Sequence, residues 1–385
     1  MGIFGQMAAM NMQMMMRSLL VYRITGSVEA IGIMAISGAV PHIISALYGG
    51  VIADRLEKKH ILLFSLAAFA VLSFGIAIAL TTGWLNAERW WILIITSVVQ
   101  STLMGLLIPA RHSIISDLVG RERLMNAVSL NSLGQNGWRL MAPAAAGFLV
   151  EGFGFDVGYF VIGGLYLWAI ILIAFLPLSG TPSVTGQSVL TEVAEGFKYL
   201  RRAPDVMWVL IFNLIVVVLS MPYQLLLPVF VDDILMVGAS GMGILLSVSG
   251  AGAIAGSLIL ASLPDKKRGV MFLISSMFLG LVLIVFSFSK SWALSLGIMV
   301  LIGMGQSARM TLGNTLAQYY SSDTFRGRVM GIFDMQMSFP GIAVFVAGML
   351  TGFIGVEWAV GGLAMLLVAI SVLIMIFSPR LRRLD

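Results

Sequence analysis

The chain has 385 residues, of which 59% are hydrophobic and 11% charged, with a formal charge of +5. Soluble domains carry about 45–50% apolar residues and about 25% charge, and a folded core does not absorb such an excess, because charged side chains stay at the surface. Lipid is the solvent that accommodates this composition. The absence of cysteine removes disulfides, thiolate nucleophiles and Cys-based metal sites.

The apolar runs are long and unbroken, as in Ile61–Leu80 and Val360–Phe377. That excludes a transmembrane barrel, whose strands alternate polar and apolar residues over about ten positions. A bilayer crossing needs about 20 apolar residues. In chain order, helices are predicted at 2–21, 28–53, 61–81, 90–110, 124–150, 155–177, 206–231, 240–263, 269–288, 292–315, 328–353 and 356–377. The expectation is an all-α membrane protein of twelve transmembrane helices in two pseudo-symmetric six-helix bundles. The bundles are residues 1–177 and 206–377, joined by a linker at 178–205 and followed by a tail at 378–385. The first run lacks a small-residue cleavage site and reads as a mature helix.

Basic residues fix the orientation. One set of connections holds Arg55, Lys58 and Lys59, then Arg111, Arg121 and Arg123, then Lys198, Arg201 and Arg202. It continues with Lys266, Lys267 and Arg268, then Arg326 and Arg328, and ends with Arg380, Arg382 and Arg383. The alternate connections hold only Arg23, Arg89 and Lys290. The positive-inside rule makes the first set cytoplasmic, with both termini inside a cell (inner or plasma) membrane. This distribution sets orientation and does not point to nucleic acid. In the linker, Val189, Val193, Phe197 and Leu200 share a helical stripe while Lys198, Arg201 and Arg202 lie elsewhere on the turn. Two readings follow: an amphipathic helix on the cytoplasmic leaflet, or a solvated linker helix.

The halves echo one another. GRERLMNAVSLN and FRGRVMGIFDMQ align Arg121 with Arg326, Arg123 with Arg328 and Met125 with Met330. Parallel repeats about an axis along the membrane normal place a transport site near mid-bilayer.

The turn after the second run reads Gly49-Gly50-Val51-Ile52-Ala53-Asp54-Arg55-Leu56-Glu57-Lys58-Lys59. It resembles the Gly-x-x-x-Asp-Arg-x-Gly-Arg/Lys-Arg/Lys signature of the major facilitator superfamily, matched at Gly50, Asp54, Arg55, Lys58 and Lys59. Glu57 stands where the family has glycine, adding a carboxylate for a nearby lysine. TGSVEAIG, IPARHSIISDLVGRERLMNAVSLNS, RLMAPAAAGFLVEGFG, EGFKYLRRAP and FRGRVMGI are similar to the branch of enterobactin exporters and macrolide-efflux permeases. Ala142, Pro143 and Gly147 match the family's antiporter motif in helix five only in part, alanine replacing two glycines. The resemblance implies that Asp54 meets the start of the eleventh helix, near Arg326–Val329, when the cytoplasmic side is closed. Arg55, Lys58, Lys59 and Arg111 would complete that switchable charge cluster. A carboxylate is favoured at the positive end of a helix, and the other reading of these residues is simple anchoring at the headgroups.

Charges at mid-bilayer cost at least ~2.5–3.5 kcal/mol and face a cavity or a partner. Arg139, just before Pro143, presents a fork suited to carboxylate or phosphate; it holds an anionic substrate or a structural partner. Asp334 is the acid well inside a predicted span and the first candidate for proton coupling, with Arg309 on the neighbouring helix as its partner; a static Asp334–Arg309 pair is the alternative. His42, after Pro41, is the second proton candidate, or else a histidine satisfied by a backbone carbonyl. Arg17 is expected to snorkel outward with Arg23.

The first helix gathers Met7, Met10, Met12, Met14, Met15 and Met16 around Asn11 and Gln13. Thioethers bind Cu(I) or form a deformable wall for an apolar substrate; no second cluster reinforces a metal, and none is expected. Asn11, Gln13, Gln100, Asn213, Tyr223, Gln224, Gln306 and Gln336 are candidate cavity groups or interhelical hydrogen bonds. Gly303-Met304-Gly305-Gln306-Ser307-Ala308 imitates a dinucleotide fingerprint but lies inside a span, so helix packing explains it, as it does Gly252/Gly256 and Gly348/Gly352. No Gly-Lys dipeptide, and hence no Walker A loop, is present.

The expected function is that of a secondary transporter, not an enzyme. It needs no cofactor and works as a monomer. The resemblance favours proton-coupled export of an amphipathic small molecule, siderophore- or drug-like. An importer or uniporter of the same fold, and a permease partner or sensor without transport of its own, are the alternatives.

Overall fold

The structure is a computed structural model that describes residues 2–118, 124–175, 189–263, 266–322 and 325–384. Six helices open the chain: α1 (Gly2–Thr25), α2 (Val28–Arg55), α3 (Lys58–Thr81), α4 (Trp91–Leu118), α5 (Leu124–Phe153) and α6 (Phe155–Ala174). After the short α7 (Val189–Arg202) come α8 (Pro204–Ser220), α9 (Pro222–Val229), α10 (Gly238–Ser262), α11 (Arg268–Ser287) and α12 (Trp292–Tyr319). The chain ends with α13 (Arg326–Met335), α14 (Pro340–Phe377) and α15 (Pro379–Arg382).

Nine segments among the described residues are long and apolar enough to cross a bilayer. One of them, Arg326–Phe377, has 52 residues. At 1.5 Å per residue such a length is more than twice a hydrocarbon core of about 30 Å. Gly355 breaks it, with φ +79° and ψ 159° inside α14, a conformation that a residue bearing a β-carbon rarely adopts. α1 and α5, with 24 and 30 residues, stand outside the nine; they carry the polar residues Asn11, Gln13, Arg17, Asn131 and Arg139.

Two compact units result. The first is Met1–Gly186 with Val237–Ser247, and the second is Gln187–Met236 with Val248–Asp385. In the first unit α2 packs on α4, α3 on α6, and α1 on α5 and α6. In the second, α11 packs on α14 and α12, and α14 on α8 and α9. The glycines inside the spans are contact points. A β-carbon at Gly252 would overlap the carbonyl of Val300, and one at Gly303 the carbonyl of Ser249. Helix backbones therefore touch directly, which is how helices associate where lipid offers no hydrophobic drive. The fingerprint-like glycines at 303–305 are packing residues.

Two segments predicted as single helices are interrupted. Pro222 starts α9 with Met221 alone between it and the end of α8, and a π turn at Phe230–Ile234 follows. Between α13 and α14 the chain tightens into a 3-10 turn at Gln336–Ser338, and Pro340 opens α14. Proline supplies no N–H to the preceding turn, so each break sits where a backbone bond is already missing.

The linker helix has a protein partner. The Tyr199 ring stacks on Phe325 at 4.4 Å, its hydroxyl accepts the Ser322 N–H at 3.0 Å, and Glu195 pairs with Arg328 at 2.7 Å. Leu200 is buried in the core formed with α8, α11 and α12. The stripe expected to face lipid thus gives at least Leu200 to the second unit; the side chains of Val189, Val193 and Phe197 lie outside those described.

Replacing Gly303 by leucine should push the α10 and α12 backbones apart and cost about 1–3 kcal/mol, the usual penalty of overpacking. A lowered melting temperature of the solubilised protein reads this. Gly297→Ala on the same helix meets open space and should melt like the wild type.

Candidate functional site

Each unit holds a polar network inside apolar helices. In the first, α4 and α6 aim at one residue of α1. The Gln100 Nε2 donates to Gln13 Oε1 at 2.5 Å, and the Tyr166 hydroxyl donates to the same oxygen at 2.9 Å. All three side chains are buried, and Tyr166 is packed against the Phe69 ring at 5.5 Å. Arg17, one turn along α1, belongs here too. The expectation that it snorkels outward is corrected: its Nε and Nη2 are buried, and Tyr159 and Tyr166 of α6 are the ionisable groups within its electrostatic reach.

In the second unit the network is a relay. Arg309, fully buried, donates from Nη1 to Asn213 Oδ1 at 3.2 Å; Asn213 Nδ2 donates to Gln336 Oε1 at 2.7 Å; Gln336 Nε2 donates to the Leu210 carbonyl at 2.9 Å. Tyr223 reaches Gln306 Oε1 at 3.5 Å. The relay ties α8 to α12 and to the 3-10 turn between α13 and α14. A mid-helix 3-10 stretch is a common site of functional hinging.

Other predicted residues separate from these networks. Asp334 does not pair with Arg309: its side chain is exposed and makes no hydrogen bond or ion pair with a described residue. The static-pair alternative is thereby overturned, because Asn213 takes the Arg309 contact. His42 is half-buried on α2 directly after Pro41. Asn11 donates to the Met7 carbonyl of its own helix at 2.8 Å and so bridges no second helix. Gln224 is half-buried on α9, and Arg139 is half-buried on α5 with no hydrogen bond to a described residue.

Within the loop motif, the side chains of Gly50, Asp54 and Arg55 lie outside those described. Lys59 Nζ donates to the Ala174 carbonyl at the end of α6, at 2.8 Å. Glu57 faces His60 at 3.1 Å, an i,i+3 contact, where a lysine partner was expected. Lys58 is half-buried, and Arg111 is buried on α4.

The helix-five motif lies against the first turns of α10. Ala142, Pro143 and Gly147 are buried; a β-carbon at Gly147 would overlap the Ala239 carbonyl. The Ala144 N–H donates to Ser247 Oγ at 3.1 Å, and the Ser240 N–H donates to Glu151 Oε2 at 2.8 Å. Glu151 thus caps the start of α10 from a different helix. The missed signal was its spacing: Pro143, Gly147 and Glu151 recur every four residues along one face of α5.

The sequence of residues 1–344 matches the family model described as Major Facilitator Superfamily. The chain belongs to the major facilitator superfamily. It is similar to the multidrug efflux pump Tap of Mycolicibacterium fortuitum, with 24% identity over 95% of this chain and 91% of that protein. It is also similar to the enterobactin exporter EntS of Escherichia coli O1:K1 / APEC, with 23% identity over 87% of this chain and 77% of that one. Among solved structures, a D-xylose-proton symporter superposes with a TM-score of 0.77 at 12% identity, covering 99% of this chain and 97% of that one; this likeness is one of fold. The protein is a multi-pass membrane transporter of the superfamily with a small-molecule substrate, and not an enzyme.

The Ser240 hydrogen bonds hold the Glu151 carboxyl below the ordinary glutamate range. A depressed carboxyl contributes stability above its unfolded value and loses it as pH falls through the folded one. Amide exchange over residues 238–241 should therefore be flat from pH 5 to 8, once corrected for intrinsic exchange, and relatively faster only below about pH 4.5. Glu151→Gln should speed exchange there about two- to fivefold at neutral pH, the equivalent of about 0.3–1 kcal/mol at an exposed helix end.

Proposed function

We propose that the protein is a proton-coupled exporter of an amphipathic small molecule, siderophore- or drug-like, working by alternating access through twelve membrane crossings. Both termini are cytoplasmic in a cell membrane. The observation that carries the coupling is the position of Asp334. It lies two residues before Gln336, and Gln336 locks the Arg309–Asn213 relay at the 3-10 turn. A carboxylate beside a break in its helix changes charge where the backbone is least regular. Gain or loss of one proton then shifts the balance between two packings of the α13–α14 step.

Export rather than import is supported by two relatives named as an efflux pump and an exporter. Polar groups inside each unit are candidate hydrogen-bonding partners for a substrate, and Met10 and Met14, the accessible methionines in the middle of α1, give it a deformable apolar surface. His42 is the second proton site. Arg139 and the amides Gln13, Gln100, Asn213, Gln306 and Gln336, with Asn11, Tyr223 and Gln224, are the cavity groups. Gly50, Asp54, Arg55, Lys58, Lys59 and Arg111 form the cytoplasmic gate, with Asp54 as its latch, and Ala142, Pro143 and Gly147 serve the helix-five packing.

The test is reconstitution of the pure protein in liposomes holding a pH-sensitive dye, with siderophores and macrolides added in turn and no ATP present. Substrate-dependent proton movement in the wild type, abolished by Asp334→Asn, is expected. Proton movement that survives the substitution would assign coupling elsewhere, and substrate flux without proton movement would overturn coupling altogether. Asp54→Asn should cut transport at least tenfold at equal membrane abundance; unchanged transport would remove its gating role.

A further inference from the structure

Arg17 is a cation in the interior whose chemistry nothing above uses. It lies about 12 Å from the Thr25 end of α1 at 1.5 Å per residue, within a helix that is enclosed nearly all round. The accessible positions of the helix's middle are Met10, Asn11, Met14 and Arg17. They recur at helical spacing and form one stripe. Met14 is 51% exposed, while Met12, Met15 and Met16 around it are at most 4%.

The guanidinium does not release its proton, and a permanent charge at that depth calls for a counter-charge. None is supplied by the described residues. The ionisable groups acting on Arg17 are Tyr159 and Tyr166, both phenols, with no carboxylate among them. Tyr166 is committed to Gln13. Arg17 has no carboxylate acceptor at Nε or Nη2; the Tyr159 hydroxyl is its hydrogen-bonding neighbour, a neutral group that leaves the charge uncompensated. Those two nitrogens form one edge of the guanidinium, the pair of parallel N–H donors that grips a carboxylate or related oxyanion bidentately.

We propose that Arg17, with the Tyr159 hydroxyl beside it, binds the anionic end of an amphipathic organic acid, and that Met10 and Met14 carry its apolar body. The occupant is a carboxylate- or sulfonate-bearing molecule with an apolar ring system. This site deepens the exporter reading and rests on it only for the claim that the occupant is carried across the membrane.

Two fluorescent probes that differ by one group test it: 1-anilinonaphthalene-8-sulfonate and N-phenyl-1-naphthylamine, which lacks the sulfonate. Binding is measured on the full chain in phosphatidylcholine nanodiscs, so that no anionic lipid competes, with empty discs subtracted. The wild type should bind the sulfonate at least tenfold more tightly than its neutral analogue. Arg17→Gln should bring the two within about twofold without weakening the neutral probe. Arg17→Lys should lose three- to tenfold on the sulfonate, because charge remains but the fork does not, and Tyr159→Phe should lose less.

The proposal falls if the wild type shows no preference, or if Arg17→Gln keeps it while Arg139→Gln abolishes it. Should Arg17→Gln fail to fold, Arg17→Lys and Tyr159→Phe decide, and unchanged sulfonate binding in both overturns the proposal. The readout involves neither transport nor protons. Proton-coupled flux of a neutral substrate with no anion preference would sink this site and leave the exporter standing, whereas anion preference without substrate-dependent proton movement would keep this site and overturn the proton coupling.

Discussion

Lipid offers no hydrogen bonds, and most of the molecule follows from that. A polar side chain inside a crossing has to find its partner within the protein, because an unsatisfied group in hydrocarbon costs several kcal/mol. Gln13, Gln100 and Tyr166 meet in the first unit and Arg309, Asn213 and Gln336 in the second, all buried. Such networks fix which faces of the helices turn inward more sharply than apolar contact does, since one apolar side chain packs against lipid as well as against another.

The same constraint governs the backbone. Irregular chain is tolerated at membrane depth only where something else satisfies it. At the 3-10 turn Gln336–Ser338, the Gln336 side chain both accepts from Asn213 and donates to the Leu210 carbonyl. The break is therefore stitched into the interior of its own unit, and the element most able to hinge is also the one best anchored. Small residues play the complementary part. Where Gly252 and Gly303 let backbones touch, the helices gain dispersion contacts that lipid tails would not provide.

The helical class and most helix limits were legible because apolar run length is a strong signal; α2, α3, α6, α10 and α11 begin and end within a few residues of their predicted bounds. The breaks at Pro222 and Pro340 were less so, since proline in a membrane helix sometimes only bends it. The polar candidates were readable as types but not as pairs. Asn213, Gln306, Arg309 and Gln336 all stood out from an apolar background, yet the amide that takes Arg309 lies 96 positions away in the chain, and no spacing rule connects them. Arg17 was misread because its neighbour Arg23, exposed at the helix end, does sit where a basic residue reaches the headgroups. Depth alone separates the two, and depth is visible in sequence only once the ends of α1 are fixed.

Two interior arginines show how one residue type serves different ends. Arg309 is fully buried, and its hydrogen bond to Asn213 opens a chain of amides that closes on a backbone carbonyl. Every link has a fixed donor and acceptor, so moving one member disturbs the rest; that is the behaviour of a wedge which couples α8, α12 and the α13–α14 step. Arg17 is partly accessible, and the groups acting on it are phenols, Tyr159 through a hydrogen bond, with no carboxylate among them. Each unit holds an interior polar network with an arginine in it or beside it. What separates the two arginines is the partner at hand: Arg309 is held by an amide chain anchored on the backbone, and Arg17 faces neutral phenols.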